Sequence, residues 1–233
     1  MNDNNSPLID YSSFNFGNFN IDEILNEEII CTVFVVDTSA STTNFVADLN
    51  KAFNEFVEVM QKSHVAPTLF VSIIEFDKTI RTRSGFQPIA NIPTNIDFSA
   101  NGLGGATKLY DATKLGIENS IEYRNNLENS GVNCKTLIFV LTDGEDNSSV
   151  NSAHVVKELI SDFKKVEANV NSFVTILFGI GQDSSFEQAQ KDMGIEYLGK
   201  VGTTAAELKK MITFISASIS NSSTGKAVTA PSF

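Results

Sequence analysis

Residues 29–41 read IICTVFVVDTSAS. An apolar run, broken only by Thr32, ends abruptly in one carboxylate, Asp37, and three hydroxyls, Thr38, Ser39 and Ser41. A near-continuous apolar run without polar alternation is the pattern of a strand covered on both faces. Such strands belong to mostly parallel sheets flanked by helices.

The rest of the chain repeats that logic. Residues 43–62 place Phe45, Leu49, Phe53, Phe56, Val57 and Met60 at helical spacing, and TLFVSIIEF follows as a second strand. A weaker β region over 79–90 comes next, with Gly85 suited to a turn inside it. A helical pattern fills 108–128, through Leu109, Ala112, Leu115, Ile121 and Leu127. KTLIFVLTD is another buried strand, 150–168 is helical, and SFVTILFGIG is a strand. A short helix near 184–193, a short strand near 195–199 and a helix over 204–219 close the set. The folded part is then a single α/β domain over residues 29–220. Residues 1–28 are polar and Asn-rich and read as a mobile extension. Residues 221–233, small and polar, read as a disordered tail.

Composition narrows the function. Among 233 residues, 17 Lys and Arg stand against 28 Asp and Glu, for a net charge of -11. No basic patch stands out, which argues against nucleic acid as a partner. No apolar run reaches the ~18 residues of a membrane span, and no signal-peptide pattern opens the chain. Two cysteines, Cys31 and Cys134, do not make a secreted disulfide framework and read as small buried hydrophobes. The expectation is a cytoplasmic monomer with no membrane contact. Eighteen Phe and no Trp give the core an aromatic filler without a polar tip.

Open α/β sheets bind ligands outside the carboxyl ends of their strands. There the chain carries Asp37-Thr38-Ser39-Ala40-Ser41 after the first strand and Asp143-Gly144 after KTLIFVLT. GLGGATKLYDA, with Thr107 behind Gly102, Gly104 and Gly105, precedes the helix at 108–128. If the strands are neighbours, two carboxylates and three hydroxyls share one spot. All are hard oxygen donors, suited to magnesium or manganese and unsuited to zinc or copper. Two carboxylates neutralise a divalent ion, while hydroxyls add no charge. The ion stays electrophilic and can accept an anionic oxygen from outside.

DTSAS, GGATKLYDA and LTDG, in that order on this βα alternation, resemble the metal-ion-dependent adhesion site of von Willebrand factor type A domains, over about residues 29–217. The TDG loop and Ser-rich tail are closest in style to bacterial intracellular A-domain proteins associated with tellurium resistance. The resemblance implies a three-layer, Rossmann-like sheet of six strands, mostly parallel, with a short third strand antiparallel at one edge. It implies Ser39, Ser41 and Thr107 as hydroxyl ligands of Mg2+ (or Mn2+ or Ca2+), and Asp37 and Asp143 as ligands directly or through water. It implies binding to a protein partner through that partner's Asp or Glu side chain. One departure is an extra residue: Gly-Gly-Ala-Thr stands where many members have Gly-Gly-Thr.

The rival reading is a metal-dependent hydrolase or phosphatase with Asp37 as nucleophile. The two-aspartate D-x-D pattern of one phosphatase class is missing, since Ser39 stands at its second position, and no G-x-S-x-G elbow occurs. His64 and His154 read as surface residues. Glu145 and Asp146 read as solvated or supporting groups, and Asp111 as either a support for the site or a plain helix-face carboxylate. No catalytic residue is assigned, and a non-enzymatic module is expected.

Overall fold

The computed structural model describes residues 28–166, 172–182 and 185–232. The extension expected over 1–28 thus lies, except for Glu28, outside the described residues, as do 167 and 168 of the helix expected to end there. In chain order the elements are β1 (Ile29–Asp37), α1 (Val46–Gln61), β2 (Leu69–Phe76), β3 (Ile80–Pro88) and α2 (Leu109–Asn129). They continue with β4 (Cys134–Thr142), α3 (Ala153–Val166), β5 (Phe173–Ile180), α4 (Phe186–Met193), β6 (Tyr197–Val201) and α5 (Ala205–Ser223).

The strands form one six-stranded sheet in the order β3-β2-β1-β4-β5-β6. All neighbours run parallel except β2 and β3. After β1 the chain builds outward through β2 and β3, then returns to place β4 on the other side of β1. The sheet's order therefore reverses between β1 and β4, and the ends of these two strands flank the crevice where such sheets bind ligands.

Alternation along the central strands divides the core into two layers. Phe34 and Val36 face α1 and α5, while Val33 and Val35 face α2. Phe34 is ringed by Phe53, Phe56 and Phe139 at centroid distances of 4.9, 5.3 and 5.5 Å. Buried aromatic pairs of this kind add about 0.5–1.5 kcal/mol each beyond their area. On the other face α2 approaches β1 at Gly116, where an added Cβ would stand 2.9 Å from a Val35 methyl.

Three local expectations change. Residues 40–44 form a 3-10 turn, so α1 begins only at Val46. The 79–90 region holds one unbroken nine-residue strand, longer than the short edge strand expected. Gly85 does not turn the chain: it lies between Ser84, paired with Ile73, and Gln87, paired with Val71, where the register shifts as a bulge. In the segment expected as a tail, residues 221–223 complete α5 and Val228 is buried against the α1/α5 layer.

The long connection over 89–108 carries no strand, so side chains satisfy its backbone. Asn54 on α1 donates to Ile96 O (2.8 Å) and accepts from Ile96 N–H (2.7 Å), much as a peptide group on a neighbouring strand would. Asn50 accepts from Phe98 N–H and donates to Asp97. Fully buried Glu75 on β2 is ion-paired with Arg83 and accepts from Asn101 at 3.1 Å, and Arg83 also donates to Asp97 O. At the opposite pole, the buried Lys135 ammonium near the start of β4 donates to Ser222 O at the end of α5 (3.1 Å) and pairs with Glu28. A cation at the last carbonyls of a helix complements its dipole.

Gly116→Leu should force α2 away from β1. We expect a stability loss of about 1–3 kcal/mol, the usual cost of overpacking, read as a lower denaturant midpoint.

Candidate metal centre

Asp37 is the last residue of β1 and is only 2% exposed. Its Oδ1 accepts from Ser39 N–H (2.8 Å), and its Oδ2 accepts from the Thr142 hydroxyl at the end of β4 (2.7 Å). Burial pushes the Asp37 carboxyl above its ordinary value. Hydrogen bonds from the Ser39 and Thr142 side chains and from the Ser39 and Asp143 N–H groups pull it part way back. The groups facing this carboxylate are thus neutral dipoles. A divalent cation placed among them would supply the missing positive charge.

The turn after Asp37 aims its hydroxyls at one another. Ser39 Oγ and Ser41 Oγ are 2.9 Å apart, and Ser41 Oγ donates to Asp143 Oδ1, again at 2.9 Å. Thr38 points the other way. Its hydroxyl donates to Phe76 O at the end of β2 and accepts from Arg81, which is also paired with Asp77. Ser39 and Ser41 thus share one side of the turn, with Thr38 serving as a strap to β2. Thr42 donates back to Ser39 O and closes the 3-10 turn.

The loop carrying Thr107 is tied to both neighbours. Gly104 O accepts from Ala40 N–H at 2.6 Å, and Ser39 and Gly104 form an isolated parallel bridge. An added Cβ at Gly104 would lie 2.5 Å from an Asp77 carboxylate oxygen, so this approach requires glycine. Thr107 N–H donates to Asn147 Oδ1 (2.8 Å), and Thr107 O accepts from Asn147 and Ser148 N–H. Thr107 is 6% exposed, and among the described residues its hydroxyl makes no hydrogen bond.

Asp37, Ser39, Ser41 and Asp143 are therefore linked side chain to side chain or through backbone, and Thr107 is held beside them by loop-to-loop bonds. Among the described residues no cluster of three or more His, Cys, Asp or Glu side chains occurs. The donor set is one of hydroxyls and two carboxylates, which fits a hard divalent cation.

Supporting residues emerge that the sequence reading did not single out: Thr142, Asn147, Ser149 and Arg81. Thr142 lies inside LTDG, yet strand alternation alone does not show that its hydroxyl reaches Asp37. Asp146 accepts from the Ser149 hydroxyl (2.5 Å) and from Tyr110 N–H (3.3 Å), so it supports the loop. Asp111, in the first turn of α2, accepts from Val150 N–H (2.8 Å), Asn151 N–H (2.9 Å) and the Asn151 amide (2.7 Å). It is thus a clamp on the loop after β4 rather than a plain helix-face carboxylate. His154 is exposed and lies 3.5 Å from Glu158, and His64 is exposed beyond α1.

The von Willebrand factor type A domain family model matches residues 32–196. No curated protein sequence matches the chain. Among solved structures, the PilB minor pilin from Streptococcus sanguinis superposes with a TM-score of 0.60 at 13% identity, over 84% of this chain and 62% of that one. The SpaC pilus adhesin from Lactobacillus rhamnosus GG gives 0.58 at 14%, over 83% and 30%. Proximal thread matrix protein 1 from the mussel byssus, with a zinc-occupied MIDAS motif, gives 0.58 at 14%, over 83% and 48%. This chain thus spans less than two thirds of each of these proteins, and at such identities the likeness is one of fold.

Thr142→Val should leave a buried Asp37 oxygen without its donor and lower stability by about 1–3 kcal/mol in urea unfolding. For Asp111, burial raises the carboxyl's value, but the hydrogen bonds from Val150 and Asn151 outweigh it, and the net shift is downward. A depressed folded value means stabilisation that is complete above the unfolded value of about 3.9 and lost as pH falls through the folded one. The stability gap between wild type and Asp111→Asn should therefore be widest near neutral pH and close on acidification below the ordinary carboxylate range.

Proposed function

This chain belongs to the von Willebrand factor type A domain family, and on that premise we propose that it is a metal-dependent protein-interaction module. In this reading Asp37, Ser39, Ser41, Thr107 and Asp143 hold one divalent cation to which an Asp or Glu side chain of a protein partner binds. The carrying observation is the chain Ser39 Oγ–Ser41 Oγ–Asp143 Oδ1, with both steps 2.9 Å.

These hydrogen bonds gather the hydroxyl and carboxylate oxygens into one place, where they would hold a hard divalent cation. The hydroxyl and carboxylate donors would suit magnesium or manganese, with calcium as the larger alternative. When bound, the ion supplies a Lewis-acidic site for an outside carboxylate. The chain's own groups do the rest. Asp37 fixes the turn bearing Ser39 and Ser41, Thr142 fixes Asp37, and Asn147 and Asp111 fix the loops around Thr107 and Asp143. Exposed Val150, 87% accessible beside this clamp, offers an apolar contact on the same loop.

The binding reading is preferred to a hydrolase with Asp37 as nucleophile because both Asp37 oxygens already accept hydrogen bonds within a buried turn. Both histidines are exposed, and His154 sits with Glu158. The protein acts as a monomer in this reading. Within the family we group it with the bacterial intracellular, tellurium-resistance-associated branch, on the style of its LTDG loop and Ser-rich tail.

Melting temperature should rise on addition of Mg2+, Mn2+ or Ca2+ to the wild type. An ion that binds only the folded state adds about 2.7 kcal/mol at about 100 times its dissociation constant. The rise should vanish in Asp37→Ala and weaken in Ser41→Ala, whose exposed side chain makes the second variant the milder test of folding. A flat wild-type response to all three ions would overturn the metal reading.

A further inference from the structure

Far from the candidate metal centre, near the amino ends of β1 and β4, lie the only two cysteines of the chain. Cys31 shares the face of Val33 and Val35, and Cys134 that of Ile138 and Val140, so both side chains point toward α2. Both are buried free thiols, in a small cluster with Ile29, Phe70 and Val132 that is separate from the two main core layers. Their sulfurs are 3.4 Å apart. A disulfide bond is about 2.05 Å long, so the sulfurs must approach by about 1.4 Å. The register sets the two cysteines two residues out of step, since Ile29 pairs with Cys134 and Cys31 with Thr136, so the sulfurs meet diagonally and closing the bond must also draw the strand ends together.

We propose that Cys31 and Cys134 form an oxidisable pair that closes to an internal disulfide joining β1 to β4, with a peroxide as the oxidant. Cys134 is the attacking group. It is the first residue of β4 and is 2% exposed against 0% for Cys31, so an oxidant entering by local opening at the end of the sheet meets it first. The hydrogen bond with Cys31 lowers the Cys134 value against the upward push of burial, with the Arg124 guanidinium adding to the lowering, while burial pushes the Cys31 thiol up. The thiolate, not the thiol, is the nucleophile.

The chemistry balances in two steps. The Cys134 sulfur attacks one peroxide oxygen and the O–O bond breaks. The departing hydroxide takes a proton and leaves as water, and Cys134 becomes a sulfenic acid. Cys31 sulfur then attacks the sulfenic sulfur, the S–O bond breaks, and the Cys31 proton leaves with the hydroxyl as a second water. Two thiols lose two electrons and two protons, and one peroxide becomes two waters.

The test uses the full folded chain treated with hydrogen peroxide, quenched, denatured, and examined by thiol titration, intact mass and peptide mapping. We expect two titratable thiols to fall to none and the mass to drop by two hydrogens. The mapped link should join Cys31 to Cys134 within one chain. The melting temperature should rise and return on adding reductant, because the bond spans residues 103 positions apart and constrains the unfolded chain. In Cys31→Ala, Cys134 should stop as an oxygen adduct. Persistence of both wild-type thiols, oxygen adducts without a link, or disulfides only between chains would overturn the proposal. An unmodified Cys134 in Cys31→Ala would remove its role as the attacking group.

Discussion

The carboxylate of Asp37, buried where β1 ends, is the group on which the upper face of the molecule depends. An ionised side chain taken out of water is costly unless it is hydrogen-bonded. Here the Thr142 hydroxyl and the Ser39 and Asp143 N–H groups answer that cost, and these come from the turn after β1 and the end of β4. Satisfying one charge therefore sets the path of two loops. The parallel pairing of β1 with β4 makes this possible, because it brings the carboxyl ends of two strands far apart in sequence side by side.

The loops gain their shape from many small bonds rather than from regular structure. Gly104 bridges to Ser39 and Ala40, Thr107 binds Asn147, and Asp111 clamps residues 150 and 151. Behind them, Asn50, Asn54 and buried Glu75 anchor the connection that carries Thr107. A face built this way presents hydroxyls at fixed positions without adding charge. For a cation held there, that leaves unspent positive charge directed outward, which is the condition for recognising an anionic group from another molecule.

Much of this was legible in the sequence because the signals were strong and local. Near-continuous apolar runs such as residues 29–36, short, rich in β-branched residues and bounded by polar ones, read as strands covered on both sides, and their neighbours carry helical spacing. The residues at the strand ends followed from where parallel sheets place their crevices. What escaped was set by tertiary contact. Gly85 has the residue type of a turn, but pairing of β3 with β2 makes it part of a bulge. Val228 lies in a composition typical of a tail, but its burial depends on a surface formed by distant segments. Thr142 and Asn147 are ordinary polar residues by sequence, and only the approach of β1 to β4 and of α2 to the 143–151 loop gives them partners. The Cys31–Cys134 contact is likewise invisible until the register of β1 against β4 is known.

The buried ammonium of Lys135 joins Glu28, at the entry to β1, to Ser222, at the end of α5. The start of the sheet and the end of α5 thus share one pole, and the hydroxyl-lined crevice occupies the other. A pull applied at Glu28 would load Lys135 and the strand ends beside it, a sheet's length away from the crevice, so strain at the base and the geometry of the hydroxyls are kept apart.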